Sequence, residues 1–205
     1  MAEITPALIR DLREKTGAGM MDCKKSLEEA QGDPEKALDW LRKKGLSSAA
    51  KRSGKAAKEG LLETYVHSNA KLAVLVEVNC ETDFVARTDE FKQFAKDLAL
   101  HIAAESPLYL RREDVPVEVI EKEKDIARVA AKESGKPDKI LEKIVEGKIE
   151  KYFQETCLLE QKFFRGDQPP TIQAMVAERA AKMGENVQVA RFVRFVLGET
   201  APKGE

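Results

Sequence analysis

The chain has 205 residues and a formal net charge of −1, and its apolar (42%) and charged (35%) fractions suit one domain, or a domain with a small module, under a densely charged surface. So even a charge balance excludes a global bias toward nucleic acid or membrane surfaces. The three scattered cysteines, Cys23, Cys80 and Cys157, do not form a disulfide framework, and no apolar run nears the roughly 18 residues of a membrane span.

Met1–Pro6 carries neither a basic nor an apolar leader segment, so a cytoplasmic protein with free thiols is expected. Residues 1–45 read as three short helices. Thr5 caps the first, with Pro6 at the position where a missing N–H costs nothing. Leu8, Ile9 and Leu12 form its apolar stripe and Gly17 its stop. Met20 and Met21 open the second helix, which carries Leu27 and Ala30 and ends near Gly32. Asp33-Pro34 starts the third, with Ala37, Leu38 and Leu41 inward and Gly45 at its end. So small a bundle has a marginal core and suits a docking module, 1–45.

Residues 46–59 read as a partly helical linker. The stretch from Arg42 to Lys58 is basic throughout, with Lys43, Lys44, Lys51, Arg52 and Lys55 and no acid. It fits either a solvated linker or a phosphate-backbone contact, but lacks the interleaved aromatics that single-strand binding uses.

The core, 60–199, opens on a hairpin. Leu62–His67 and Leu72–Val78 are strand-like, with Ser68-Asn69-Ala70 between them and Asn69 suited to the turn. Leu72, Val74, Val76 and Val78 share one face. The turn that follows, Asn79–Arg87, places acids, the aromatic Phe84 and a base within a few residues. Phe84 fits a core residue capping the next helix as well as an exposed contact; Asp83 fits an N-cap. From Thr88 the period becomes helical: Phe91, Phe94, Ala95, Leu98 and Ile102, ended by Ser106-Pro107. A helix after Pro116 has Val119, Ile120, Ala127 and Ala130 on one face. Gly135 stops it and Pro137 begins another with Ile140, Ile144 and Tyr152 inward, an antiparallel pair joined by Ser134–Pro137. After an irregular stretch, Thr171 caps a helix with Ile172, Met175, Val176 and Met183, ended by Gly184. Val187, Val189, Val193, Phe195 and Leu197 alternate as a last strand that joins the hairpin. Residues 200–205 form a polar tail. The fold class is α+β: a three-helix module, then a small antiparallel sheet with helices on one face.

Enzyme signatures are lacking. His67 and His101 are the only histidines and suit structural roles. No CxxC, HExxH, P-loop or GxGxxG occurs, no metal or cofactor site is suggested, and no base can be named for Cys80 as a nucleophile.

Two longer motifs are specific. Thr16-Gly17-Ala18-Gly19-Met20-Met21-Asp22-Cys23-Lys24 resembles the N-terminal signature of the elongation factor Ts family. Glu77-Val78-Asn79-Cys80-Glu81-Thr82-Asp83-Phe84-Val85 resembles its second signature. The likeness runs through Gly135-Lys136-Pro137 and Val145-Glu146-Gly147 to Arg191-Phe192-Val193-Arg194-Phe195, covering almost the whole chain. The resemblance implies a guanine nucleotide exchange factor for elongation factor Tu, the GTPase that carries aminoacyl-tRNA to the ribosome. It implies a module of ubiquitin-associated type that docks on the partner through Leu12, Arg13, Met20 and Met21. It implies that Thr82, Asp83, Phe84 and Val85 disturb the partner's magnesium and nucleotide site, with the aromatic at Phe84 wedging between partner helices. No catalytic residue, metal or cofactor of its own, and no direct nucleic-acid contact, is then expected. Longer relatives have two copies of the core subdomain. After Phe94 this chain runs straight into what resembles the second copy, as in the short form, which is expected to pair as a homodimer. The alternative is an RNA- or ribosome-associated protein that uses the basic linker.

Overall fold

The computed structural model describes residues 4–16, 18–133 and 138–199. The expected stop at Gly17, the connection 134–137, the tail 200–205 and the Ile140 side chain lie outside the described residues. The chain forms two compact units. One comprises residues 1–60, 79–87 and 174–188, the other 61–78, 88–173 and 189–205.

In the first unit α1 (Pro6–Thr16), α2 (Met20–Glu29) and α3 (Pro34–Arg52) enclose a small core of Leu12, Cys23, Leu27, Ala30 and Ala37. Their starts follow the expected chemistry. Thr5 Oγ1 accepts from the Leu8 amide at 3.3 Å, and Asp33 Oδ1 accepts from Glu35 and Lys36 at 3.0 and 3.2 Å. These contacts meet amides that a helix start leaves orphaned, and each such cap is worth about 1 kcal/mol. Gly45 does not end α3. The helix continues seven residues to Arg52, and a Cβ on Gly45 would come 3.1 Å from Ala181 Cβ. The glycine is explained by this close approach rather than by a helix stop.

The sheet order is β1 (Glu59–Val66), β2 (Leu72–Cys80), β3 (Gln188–Val196), antiparallel, with β2 central. In the hairpin turn the left-handed residue is Ala70 (φ 55°), not Asn69. Asn69 contributes its side chain instead, its Oδ1 accepting from the Lys71 amide at 3.0 Å. Val74, Val76 and Val78 are buried on one face of β2, while Leu75 on the other is exposed. On β3 the alternation does not mean burial. Val189 is buried, but Val193 and Phe195 are exposed on the face of Leu75 and Glu77, where Arg191 Nε lies 2.7 Å from Glu77 Oε2.

The sheet leads through a short helical turn, α4 (Asp83–Ala86), to α5 (Asp89–Glu105), capped by Thr88 Oγ1 on the Phe91 amide at 3.2 Å. Its Phe91, Phe94, Ala95, Leu98 and Ile102 are all buried, as their spacing predicts. Helices α6 (Val117–Glu133) and α7 (Asp138–Thr156) pack on one another around Ala127, Val145, Ile149, Phe153 and Cys157. The expected stripe is displaced: Ala130 is exposed and Ala131 buried, and Val145, Ile149 and Phe153, four apart, carry α7 while Ile144 and Tyr152 flank them. Helix α8 (Ile172–Met183) precedes β3.

Candidate functional site

The turn after β2 is built from its ends inward. Thr82, not Asp83, is the N-cap of α4. Its backbone is extended (φ −128°, ψ 153°) and its Oγ1 accepts from the Val85 amide at 3.4 Å. Asp83 is the first helical residue, and its Oδ2 lies 2.9 Å from Arg87 Nη2, one turn on. Ala86 is buried and Val85 half-buried, so the turn is tied down on that side. Phe84 points away and is 79% exposed. The reading of Phe84 as a core residue is therefore set aside.

Two acids hold this turn. Glu185 Oε2 accepts from the Glu81 and Thr82 amides at 3.1 and 3.0 Å, and its Oε1 accepts from the Thr82 hydroxyl at 2.6 Å. Glu81 Oε1 in return accepts from the Asn186 amide at 2.6 Å, while its Oε2 takes Lys55 Nζ at 3.2 Å. The Asn186 amide first, and Lys55 after it, hold the Glu81 carboxyl below the usual carboxylate range. The buried Asn186 side chain donates to the Lys55 carbonyl at 2.7 Å, and Asn79 Nδ2 donates to the Ala57 carbonyl at 3.3 Å. Gly184, with φ 71°, ends α8 and sets the chain direction that presents Glu185 and Asn186.

Cys80 is buried beneath the turn, with Sγ donating to the Thr82 carbonyl at 3.1 Å. Burial, and after it the Glu185 charge, push its thiol up, so at neutral pH it is a protonated packing group rather than a nucleophile.

In the three-helix module the four expected contact residues do not share one fate. Leu12 is 3% exposed and part of the core, whereas Arg13 is exposed and Met20 and Met21 are 54% and 75% exposed. Both methionines are exposed rather than part of the module's core. Within the basic stretch, Lys44 pairs with Asp22 and lies 5.3 Å from the Trp40 ring centroid, and Lys55 pairs with Glu81. Among the described residues no three of His, Cys, Asp and Glu converge on a metal-sized site, and no helix is long and apolar enough to cross a membrane.

Glu185, Asn186 and Lys55 were not legible as site residues. Glu185 lies 103 residues from Thr82 in sequence. The only local signal is a helix-ending glycine followed by two polar residues.

The fold is that of an α+β protein that holds an exposed aromatic out on a clamped turn. The family model described as elongation factor TS matches residues 47–199. An elongation factor Ts of Carboxydothermus hydrogenoformans is 56% identical over 98% of this chain and 93% of its own length. One of Fervidobacterium nodosum is 58% identical over 96% of this chain and all of its own. One of Geobacter sulfurreducens is 55% identical over 98% and 93%. The chain belongs to the elongation factor Ts family, which places it in translation, among elongation factors that work through nucleotide exchange.

Proposed function

We propose that the protein binds elongation factor Tu in its GDP-bound form and promotes GDP release by disturbing the partner's Mg²⁺ and nucleotide site, so that GTP can replace GDP. The observation that carries this reading is the large aromatic of Phe84 held out, 79% exposed, on a capped and clamped turn. A GTPase holds GDP through its phosphates and a Mg²⁺ ion that demands near-octahedral geometry, so a small displacement of the ligand shell weakens binding. By linkage, a factor that binds the nucleotide-free partner more tightly lowers nucleotide affinity by the same ratio, and the typical coupling is about 1–3 kcal/mol. No bond of the nucleotide breaks. The protein is on this reading an exchange factor and not an enzyme, and a protonated Cys80 is consistent with that.

Thr82, Asp83, Phe84 and Val85 form the disturbing element. The Asp83–Arg87 pair is solvent-exposed and worth little by itself, so Asp83 is available to the partner. The module, of ubiquitin-associated type, docks through Arg13, Met20 and Met21, whose flexible thioethers suit an adaptable apolar contact. Leu12 supports that surface from inside. The protein acts in the cytoplasm as a homodimer, for which the support is the outer sheet face, where Leu62, Val66, Leu75, Val193 and Phe195 are exposed. A role in RNA binding has less support, because Lys44 and Lys55 of the basic stretch already have acid partners. The test is release of labelled GDP from elongation factor Tu with and without this protein. Acceleration is expected, and an unchanged rate would remove the proposal.

A further inference from the structure

A wedge displaces a partner only if its mount is stiffer than the site it pushes on. The mount here is four residues of helix, too short to be stable alone. Beyond the burial of Ala86, most of the bonds at its start go to one side chain. Glu185 gathers three donors from two consecutive residues: the Glu81 amide, the Thr82 amide and the Thr82 hydroxyl. The hydroxyl proton is thereby committed to Glu185, which leaves the Thr82 oxygen lone pairs for the Val85 amide. Glu185 thus fixes the N-cap, and the N-cap fixes the residue after Phe84. Glu81 returns the contact to the Asn186 amide, so the two chain segments are tied in both directions. None of these bonds involves Phe84 or Asp83.

We propose that Glu185 is a positioning residue for nucleotide exchange, acting through Thr82 to keep the Phe84 turn rigid under load. The proposal rests on the exchange reading and adds a residue to it. Hydrogen bonds to a charged acceptor are the stronger kind, and losing three of them frees the turn to bend aside when Phe84 meets resistance. Docking through the module does not depend on them, so the loss falls on the maximal rate.

The test measures kcat and KM for GDP release, with amide hydrogen exchange at Glu81 and Thr82, in wild type, Glu185→Ala and Glu185→Gln. Glu185→Ala is expected to lower kcat about tenfold with KM within about threefold, and to speed amide exchange about tenfold or more. Glu185→Gln keeps an acceptor oxygen for the two amides and is expected to recover most of both. Unchanged kcat, an equal loss in docking and rate, or no recovery in Glu185→Gln would overturn the proposal. Should Glu185→Ala not fold, Thr82→Val, which removes only the hydroxyl link, is expected to lower kcat about threefold, and an unchanged rate there would overturn it equally. Should wild type itself fail to release GDP, the exchange reading falls. Amide exchange then decides alone: protection at Glu81 and Thr82 unaltered by Glu185→Ala would overturn the positioning role, and lost protection would sustain it.

Discussion

Phe84 and His101 show how little residue type says about role. Phe84, on a turn, is among the most exposed large apolar side chains described, while His101 on α5 is fully buried. Gln161 Nε2 donates to the Glu155 and Glu105 carbonyls at 2.7 and 3.4 Å, which leaves its Oε1 as acceptor for His101 Nε2 at 3.0 Å. His101 is then the Nε2–H tautomer, and its Nδ1 has no hydrogen-bond partner. A second proton on Nδ1 would be buried without an acceptor, near the rings of Phe163 and Phe164. Burial therefore holds the imidazole below its ordinary value of about 6.5. The unfolded chain binds this proton more readily than the folded one, so stability is full above the unfolded value and falls as pH drops through it. Urea midpoints should decline between pH 7 and 5.5 in wild type and much less in His101→Gln; parallel profiles would contradict the assignment. Glu81 and Glu150 are both held low, by Asn186 and Arg112 respectively, and lose their contributions only in the more acid range of carboxylates.

Elements were legible where one local pattern decided them. The capped starts of α1 and α3, the buried face of β2 and the α5 stripe all follow from spacing and cap chemistry within a few residues, while the Thr88 cap of α5 is seen only in the structure. The departures share a different cause: a distant segment decides. Gly45 has the usual sign of a helix end, but its role is set by Ala181 on α8. Filling that approach should be harmful. Gly45→Leu is expected to destabilise the fold by about 1–3 kcal/mol in chemical denaturation, and a stability equal to wild type would show that the helices have room to part. In α6 and α7 the apolar positions are numerous enough to allow neighbouring stripes, and packing of the two helices selected Ala131 over Ala130 and Val145, Ile149 and Phe153 over their flanks. In the hairpin, Asn69 is the residue whose type tolerates positive φ, yet it is Ala70 that adopts it.

For the whole molecule, the switch between strand and helix periods carries the α+β class, and the two signature motifs carry the family, because long fixed strings are specific where single residues are not. The physical arrangement of the site was less legible. Leu12 is inside, as its place in the α1 stripe predicts, but that Phe84 is outside and that Glu185 holds Thr82 depend on contacts between segments far apart in sequence. The apolar outer face of the sheet belongs to the same scale. A charge placed there, Phe195→Asp, should leave the fold intact and convert a dimer to monomer in sedimentation; a wild-type chain that sediments as a monomer would contradict the homodimer. The central claim is that an exposed aromatic on a rigid turn, rather than docking affinity, drives exchange. Phe84→Ala tests it most directly in a stopped-flow titration of GDP release from elongation factor Tu. Because the side chain is exposed, stability should change by less than about 0.5 kcal/mol. The maximal release rate is expected to fall about tenfold or more while half-saturation moves by less than about threefold. An unchanged maximal rate, or a loss confined to half-saturation, would contradict it.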